Sequence, residues 1–222
     1  MEQEIVQVKR PSLFGMIFSP GEQFERIRER PIIWLPLILL TILMTAVAVI
    51  TALGTDYSAV SGMEMSAEDL EMMKMFGAVT AGVAGFFVTP IGFLIFGLIC
   101  WGIAKIAKSD VTFKQMLSLM IFVSFITMIG QLLNQLIILA ISGDPTIQLT
   151  SLNSFVGATG VVGAVLGMIE VFTIWYYILL ALGLIKVAKL SKPVAITITI
   201  IFFAFAVGMA AIGGAFEGLT QF

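Results

Sequence analysis

One carboxylate, Glu170, lies inside an apolar run, residues 155–185, that otherwise reads as a membrane span. An ionised carboxylate there costs several kcal/mol unless it meets protein, water or a proton, which makes Glu170 the first residue to ask chemistry of. Gln131, Asn134 and Gln135 stand three and four apart on one face of the preceding apolar run. If the two runs are antiparallel neighbours, Gln131 falls near the depth of Glu170 and a polar seam joins them. Such a seam serves either an ion or proton path, or a structural clamp in which a protonated Glu170 bonds to a side-chain amide. The clamp is the preferred reading, because transporters carry several intramembrane charges or broken helices in matching halves.

Other chemistries fare worse. The chain has no histidine and one cysteine, Cys100. That excludes His-ligated metal sites, Ser-His and Cys-His hydrolysis and HExxH zinc chemistry, and leaves Cys100 without an internal disulfide partner. GVAGFF and GVVGAVLG lack the lysine and the strand-to-helix setting of a phosphate-cradling loop, so this chain is not expected to hydrolyse ATP. Met63, Met65, Met72, Met73 and Met75 are possible soft ligands for Cu(I), but methionine is also an adaptable filler of amphipathic surfaces and no cysteine or histidine stands with them. The expectation is a protein without catalytic residues, cofactor, metal or nucleic-acid partner.

The elements that must position Glu170 follow from composition. Hydrophobic residues make up 59% of 222 and charged residues 12%, with a mean hydropathy of +1.07, whereas soluble domains are about 25% charged. Five apolar runs reach span length, at 32–53, 77–104, 115–141, 155–185 and 194–216, which predicts an all-α bundle of five membrane helices. A signal peptide is not expected, because the first run follows thirty polar-rich residues and is long for an h-region. Every basic residue except Lys74 falls on one side of this arrangement, placing the N-terminus in the cytoplasm and the C-terminus outside. The two sides carry about +5 and about −6, an asymmetry hidden by the net charge of −2. Basic loops of that kind attract anionic lipid, so membrane lipids are expected partners.

Two charged stretches flank the spans. SPGEQFERIRERP, residues 19–31, predicts a short amphipathic helix with Phe24 and Ile27 on its thin apolar face. Ser19 with Glu22 forms a capping box, Pro20 suits the first helical position, and Pro31 ends the helix. Glu22 with Arg26 contributes only about 0.3 kcal/mol, so another surface must hold the helix, and the membrane surface is the candidate. On the other side residues 54–76 form an acidic arm, where SAEDLEMMKMF predicts a helix capped by Ser66 that lies on the outer surface.

Small residues recur at four-residue spacing and mark close helix approaches. They are Gly77, Ala81 and Gly85 in the second span, Gly160 with Ala164 and Gly163 with Gly167 in the fourth, and Ala204 with Gly208 in the fifth. Pro36 and Pro90 allow kinks in spans one and two.

Three stretches carry a family resemblance: Ser19, Pro20, Phe24, Ile27 and Pro31 before span one; DVTFKQMLSL at 110–119; and IWYYILLALGLIKVAKLSKPVA at 174–195. With the five spans they resemble the bacterial branch of the Yip-one domain, named for Ypt-interacting proteins. RPSLFGMIFSP at 10–20 resembles more particularly a Bacillus group within it. That resemblance implies a multi-pass protein of the bacterial cell membrane, an accessory subunit encoded with an ABC exporter that protects against a toxic peptide. Its implied partners are the exporter's permease, ATPase and adaptor. Two other functions stay open: a small transporter or channel using Glu170 and Gln131, and a membrane-organising or lipid-binding scaffold.

Overall fold

The computed structural model of the chain describes residues 9–55, 57, 66–141, 143 and 147–220. Their helices are α1 (Gly15–Phe18), α2 (Pro20–Glu29), α3 (Trp34–Gly54), α4 (Ala67–Ile106), α5 (Phe113–Ile141), α6 (Asn153–Val156), α7 (Gly160–Met168), α8 (Val171–Lys186) and α9 (Lys192–Thr220). Among the described residues no strand forms, and the one isolated extended pairing joins Ser151 to Glu170. Much of the acidic arm, including Met63 and Met65, lies outside the described residues.

Four helices, α3, α4, α5 and α9, are long and apolar enough to cross a membrane. The expected fourth span is not a continuous helix. Phe155 and Val156 belong to the short α6, regular helix resumes at Gly160, and α7 stops at Met168 before α8 begins at Val171. Between them Glu170 is extended, with φ −129 and ψ 142.

α5 is the centre of the bundle. Met116 to Val123 are all buried, as an element apolar on every side must be in a packed interior. α8 runs antiparallel to it through two close approaches. A Cβ on Gly130 would come within 2.5 Å of the Phe172 ring, and one on Gly183 would strike Leu119. α3 and α4 form a second antiparallel pair, in which Gly85 faces Thr45 and Gly77 faces Tyr57. Ala81 lies between those two approaches and lines a cavity described below. A third contact joins α7 to α9, where Gly214 sits against the Gly160 carbonyl and the Ala164 side chain.

The other small residues behave differently. Gly163 faces the Ala158 carbonyl and Asn153 in its own preceding turn, while Gly167 and Gly208 have open space where a Cβ would stand, and Ala204 is exposed. The expected packing at Gly167, Ala204 and Gly208 is therefore corrected. Four-residue spacing defines a helix face, but only the fold decides what stands opposite it.

α4 has 40 residues and is about 60 Å long, twice a hydrocarbon core of about 30 Å. Ser66 caps it, accepting from the Asp69 amide at 3.2 Å and donating to Asp69 Oδ2 at 2.6 Å. The helix expected to lie separately on the outer surface is instead the first, nearly three, turns of this span. Pro90 lies within α4, whereas Pro36 lies in the first turn of α3, where no backbone donor is needed.

The collar helix α2 is held by the bundle rather than by lipid. Phe24 and Ile27 are 1% and 0% exposed, in one core cluster with Met116, Leu119, Leu184 and Val187. The expected capping box does not form. Ser19 Oγ donates to the Gly15 carbonyl at 3.4 Å and accepts from Gln23 Nε2 at 3.3 Å, while Glu22 pairs with Arg26. Pro20 takes the first turn, and the helix ends at Glu29, just before Pro31.

Candidate functional site

Two clusters of polar contacts use the residues that the sequence singles out. The deeper one begins at Asn134 on α5, which is 2% exposed. Its Nδ2 donates to the Ile147 carbonyl at 2.8 Å, and its Oδ1 accepts from the Leu149 amide at 2.7 Å. One side chain thus satisfies both a backbone donor and an acceptor of the segment that follows α5. The fixed segment brings Thr150 Oγ1 to Glu170 Oε1, donating at 2.6 Å. The Leu152 amide then donates to the Ile169 carbonyl at 2.9 Å, so 147–152 folds back against the break before α8.

Glu170, 8% exposed, is the N-cap of α8. Its Oε1 also accepts from the Phe172 amide at 2.9 Å, and its Oε2 accepts from the Thr173 amide at 2.6 Å. First-turn amides have no partner within their helix and carry the positive end of its dipole, so a carboxylate is well matched there. The register of Gly130 with Phe172 and of Gly183 with Leu119 puts Glu170 level with residue 132, beside Gln131 in depth. Its hydrogen bonds nevertheless run to Thr150 and to the start of α8. The clamp expected between Glu170 and a side-chain amide is corrected to a cap on a broken helix. Gln131 and Gln135 line a separate cavity between α3, α4 and α5.

Replacing Asn134 by Leu removes both ties to 147–149 and is expected to cost about 2 kcal/mol. Gln131→Leu, which breaks no bond among the described residues, is expected to stay within about 0.5 kcal/mol. Thermal unfolding of the two variants in micelles checks the contrast.

The second cluster ties the collar to the ends of the spans. Arg28 Nη1 donates to the Val187 carbonyl at 3.1 Å, and Nη2 pairs with Asp110 at 3.4 Å. Gln115 Nε2 donates to the Arg28 carbonyl at 2.6 Å, Ser118 Oγ to the Ile32 carbonyl at 2.8 Å, and Lys186 pairs with Glu25 at 3.3 Å. Two similar tetrapeptides, Lys105 to Lys108 and Lys186 to Lys189, close α4 and α8 with the last lysine in the left-handed region, at φ 60 and φ 53. Ser109 Oγ donates to the Ala188 carbonyl and joins the two turns.

Several of these residues carry weak sequence signals. Gln23, 2% exposed, accepts from the Ser12 amide at 2.8 Å, yet it reads as one more polar residue on a charged helix. Gly130, Gly183 and Gly214 make close approaches between span elements but lie outside the spaced pairs. Thr150 stands in a polar stretch, and only its return to Glu170 gives it a role.

The profile of the Yip1 domain matches residues 14–213 of the chain. Membrane protein YknW of Bacillus subtilis (strain 168) is 37% identical over 224 residues, an alignment covering 96% of this chain and 92% of that relative. No solved structure matches.

Proposed function

The chain belongs to the Yip1 domain family of membrane proteins, and within that family we propose for it the part of a non-enzymatic accessory or assembly subunit of an ABC-type exporter. It binds and supports the permease, ATPase or adaptor, with protection against a toxic peptide as the exporter's task. The setting is the bacterial cytoplasmic membrane. α7 and α8 together count as one crossing, and the collar end faces the cytoplasm, where Lys105, Lys108, Lys114, Lys189 and Lys192 are exposed.

The observation that carries this reading is apolar surface beyond lipid depth. α3, with 21 residues, is about 31 Å long and matches a hydrocarbon core by itself. Gly77 of α4 is level with Tyr57, just past the end of α3, so residues 67–76 extend about 15 Å further. Met72, Met75 and Phe76 in that extension are 63%, 58% and 70% exposed. Hydrocarbon does not reach them, and a protein partner would.

The test is gentle solubilisation of the native membrane, purification through a C-terminal tag and mass spectrometry. Stoichiometric permease and ATPase are expected in the eluate, and Met72→Glu with Met75→Glu is expected to reduce them at least fivefold. Recovery of the tagged protein alone or only as a homo-oligomer overturns the reading.

A further inference from the structure

A cavity of about 820 Å³ opens between α3, α4 and α5, in the half of the bundle remote from the collar. Small and weakly polar residues make up much of its walls, with Ala48 and Thr51 on α3, Thr80 and Ala81 on α4 and Gln131 on α5, beside the larger Phe76. Its volume falls within the roughly 300–1,000 Å³ typical of small-molecule sites. No charged side chain occurs among the described residues that line it.

Gln131 is the informative member. It is half-buried at the depth of Glu170, and among the described residues its carboxamide has no hydrogen-bond partner. Its donor and acceptor are left to the cavity that it lines, so the site favours an occupant that can both accept and donate. The alanines and threonine methyls around it favour an apolar remainder. Beside these described residues an ionic head would find no charged partner, and burying it so is far more costly than burying a neutral one.

We propose that this cavity binds an uncharged amphiphile, with Gln131 hydrogen-bonding its ester, amide or hydroxyl head and its chain lying along the alanines of α3 and α4. The site is independent of the exporter reading. The ligand is either a resident membrane lipid or an amphiphile that enters from outside, and the two share this chemistry.

The test uses the full chain in nanodiscs with a diazirine-bearing monoacylglycerol, photolysed and mapped by mass spectrometry. Labelling is expected to concentrate on Ala48 to Ala52 and Ala81 to Gly85, and unlabelled monoacylglycerol in excess should compete it. Ala81→Phe, which fills the space from α4, should reduce that labelling at least tenfold while leaving lipid-facing Phe86 and Phe87 labelled as before. Ala48→Phe does the same from α3, so one misfolded variant does not decide the outcome. Gln131→Leu should weaken competition at least fivefold with an unchanged melting temperature. Labelling spread evenly over lipid-facing residues, or a diazirine fatty acid taking the site equally well as its anion, overturns the proposal. With competable labelling in hand, an adduct retained through native mass spectrometry assigns the ligand to the membrane, and its absence assigns it to a transient source.

Discussion

Glu170→Ala should unfold at markedly lower temperature than the parent protein, with a loss of about 3–5 kcal/mol. The substitution removes the N-cap that serves the Phe172 and Thr173 amides, worth up to about 2 kcal/mol, and strands the Thr150 hydroxyl, at up to about 3 kcal/mol. Glu170→Gln keeps one acceptor oxygen and loses the charge that complements the helix dipole, so about 1–2 kcal/mol is expected. Unfolding curves of the three proteins in micelles give the ordering. A proton or cation path predicts another ordering in flux measurements: there Gln is as inactive as Ala, because neither carries an ionisable group. A graded loss of stability without any ion-dependent activity identifies the cap.

Phe24→Ala is expected to cost about 3–5 kcal/mol, the usual range for truncating a fully buried aromatic. The collar should then detach at its apolar face, leaving the arginines of α2 open to trypsin in inverted vesicles, whose cytoplasmic face is outward. The experiment separates two ways of holding α2. If lipid held it, Phe24→Ala would change vesicle affinity and leave the melting temperature of the bundle alone. Since Phe24 lies in the cluster that holds Leu119 and Leu184, the melting temperature should fall and tryptic cleavage after Arg26 and Arg28 should rise together.

The sequence made the span helices legible where apolarity and length coincide. The runs at 32–53 and 115–141 lie within two residues of α3 and α5, because nothing but a helix satisfies the backbone there. The break at Ile169 and Glu170 was not legible. Glutamate is a good helix former, and the donors that make an extended Glu170 favourable include Thr150, twenty residues earlier and brought close only by the fold. The collar was legible as a helix but not as a buried one, since a thin apolar stripe fits lipid and protein equally well. The glycines teach a related lesson. Gly130 and Gly183 meet Phe172 and Leu119 because two antiparallel helices cross at those levels, and no spacing within one helix encodes that meeting.

The interruption between α7 and α8 also governs how the chain enters the bilayer. α7 has 9 residues and α8 has 16, so each alone falls short of the roughly 20 residues that insert as an independent span. α8 lies beside α5, already synthesised, but α7 rests on α9, which emerges from the ribosome last. The segment therefore cannot settle in strict order of synthesis. Its packing is complete only when Gly214 stands opposite Gly160, so α7 and α9 are expected to settle together.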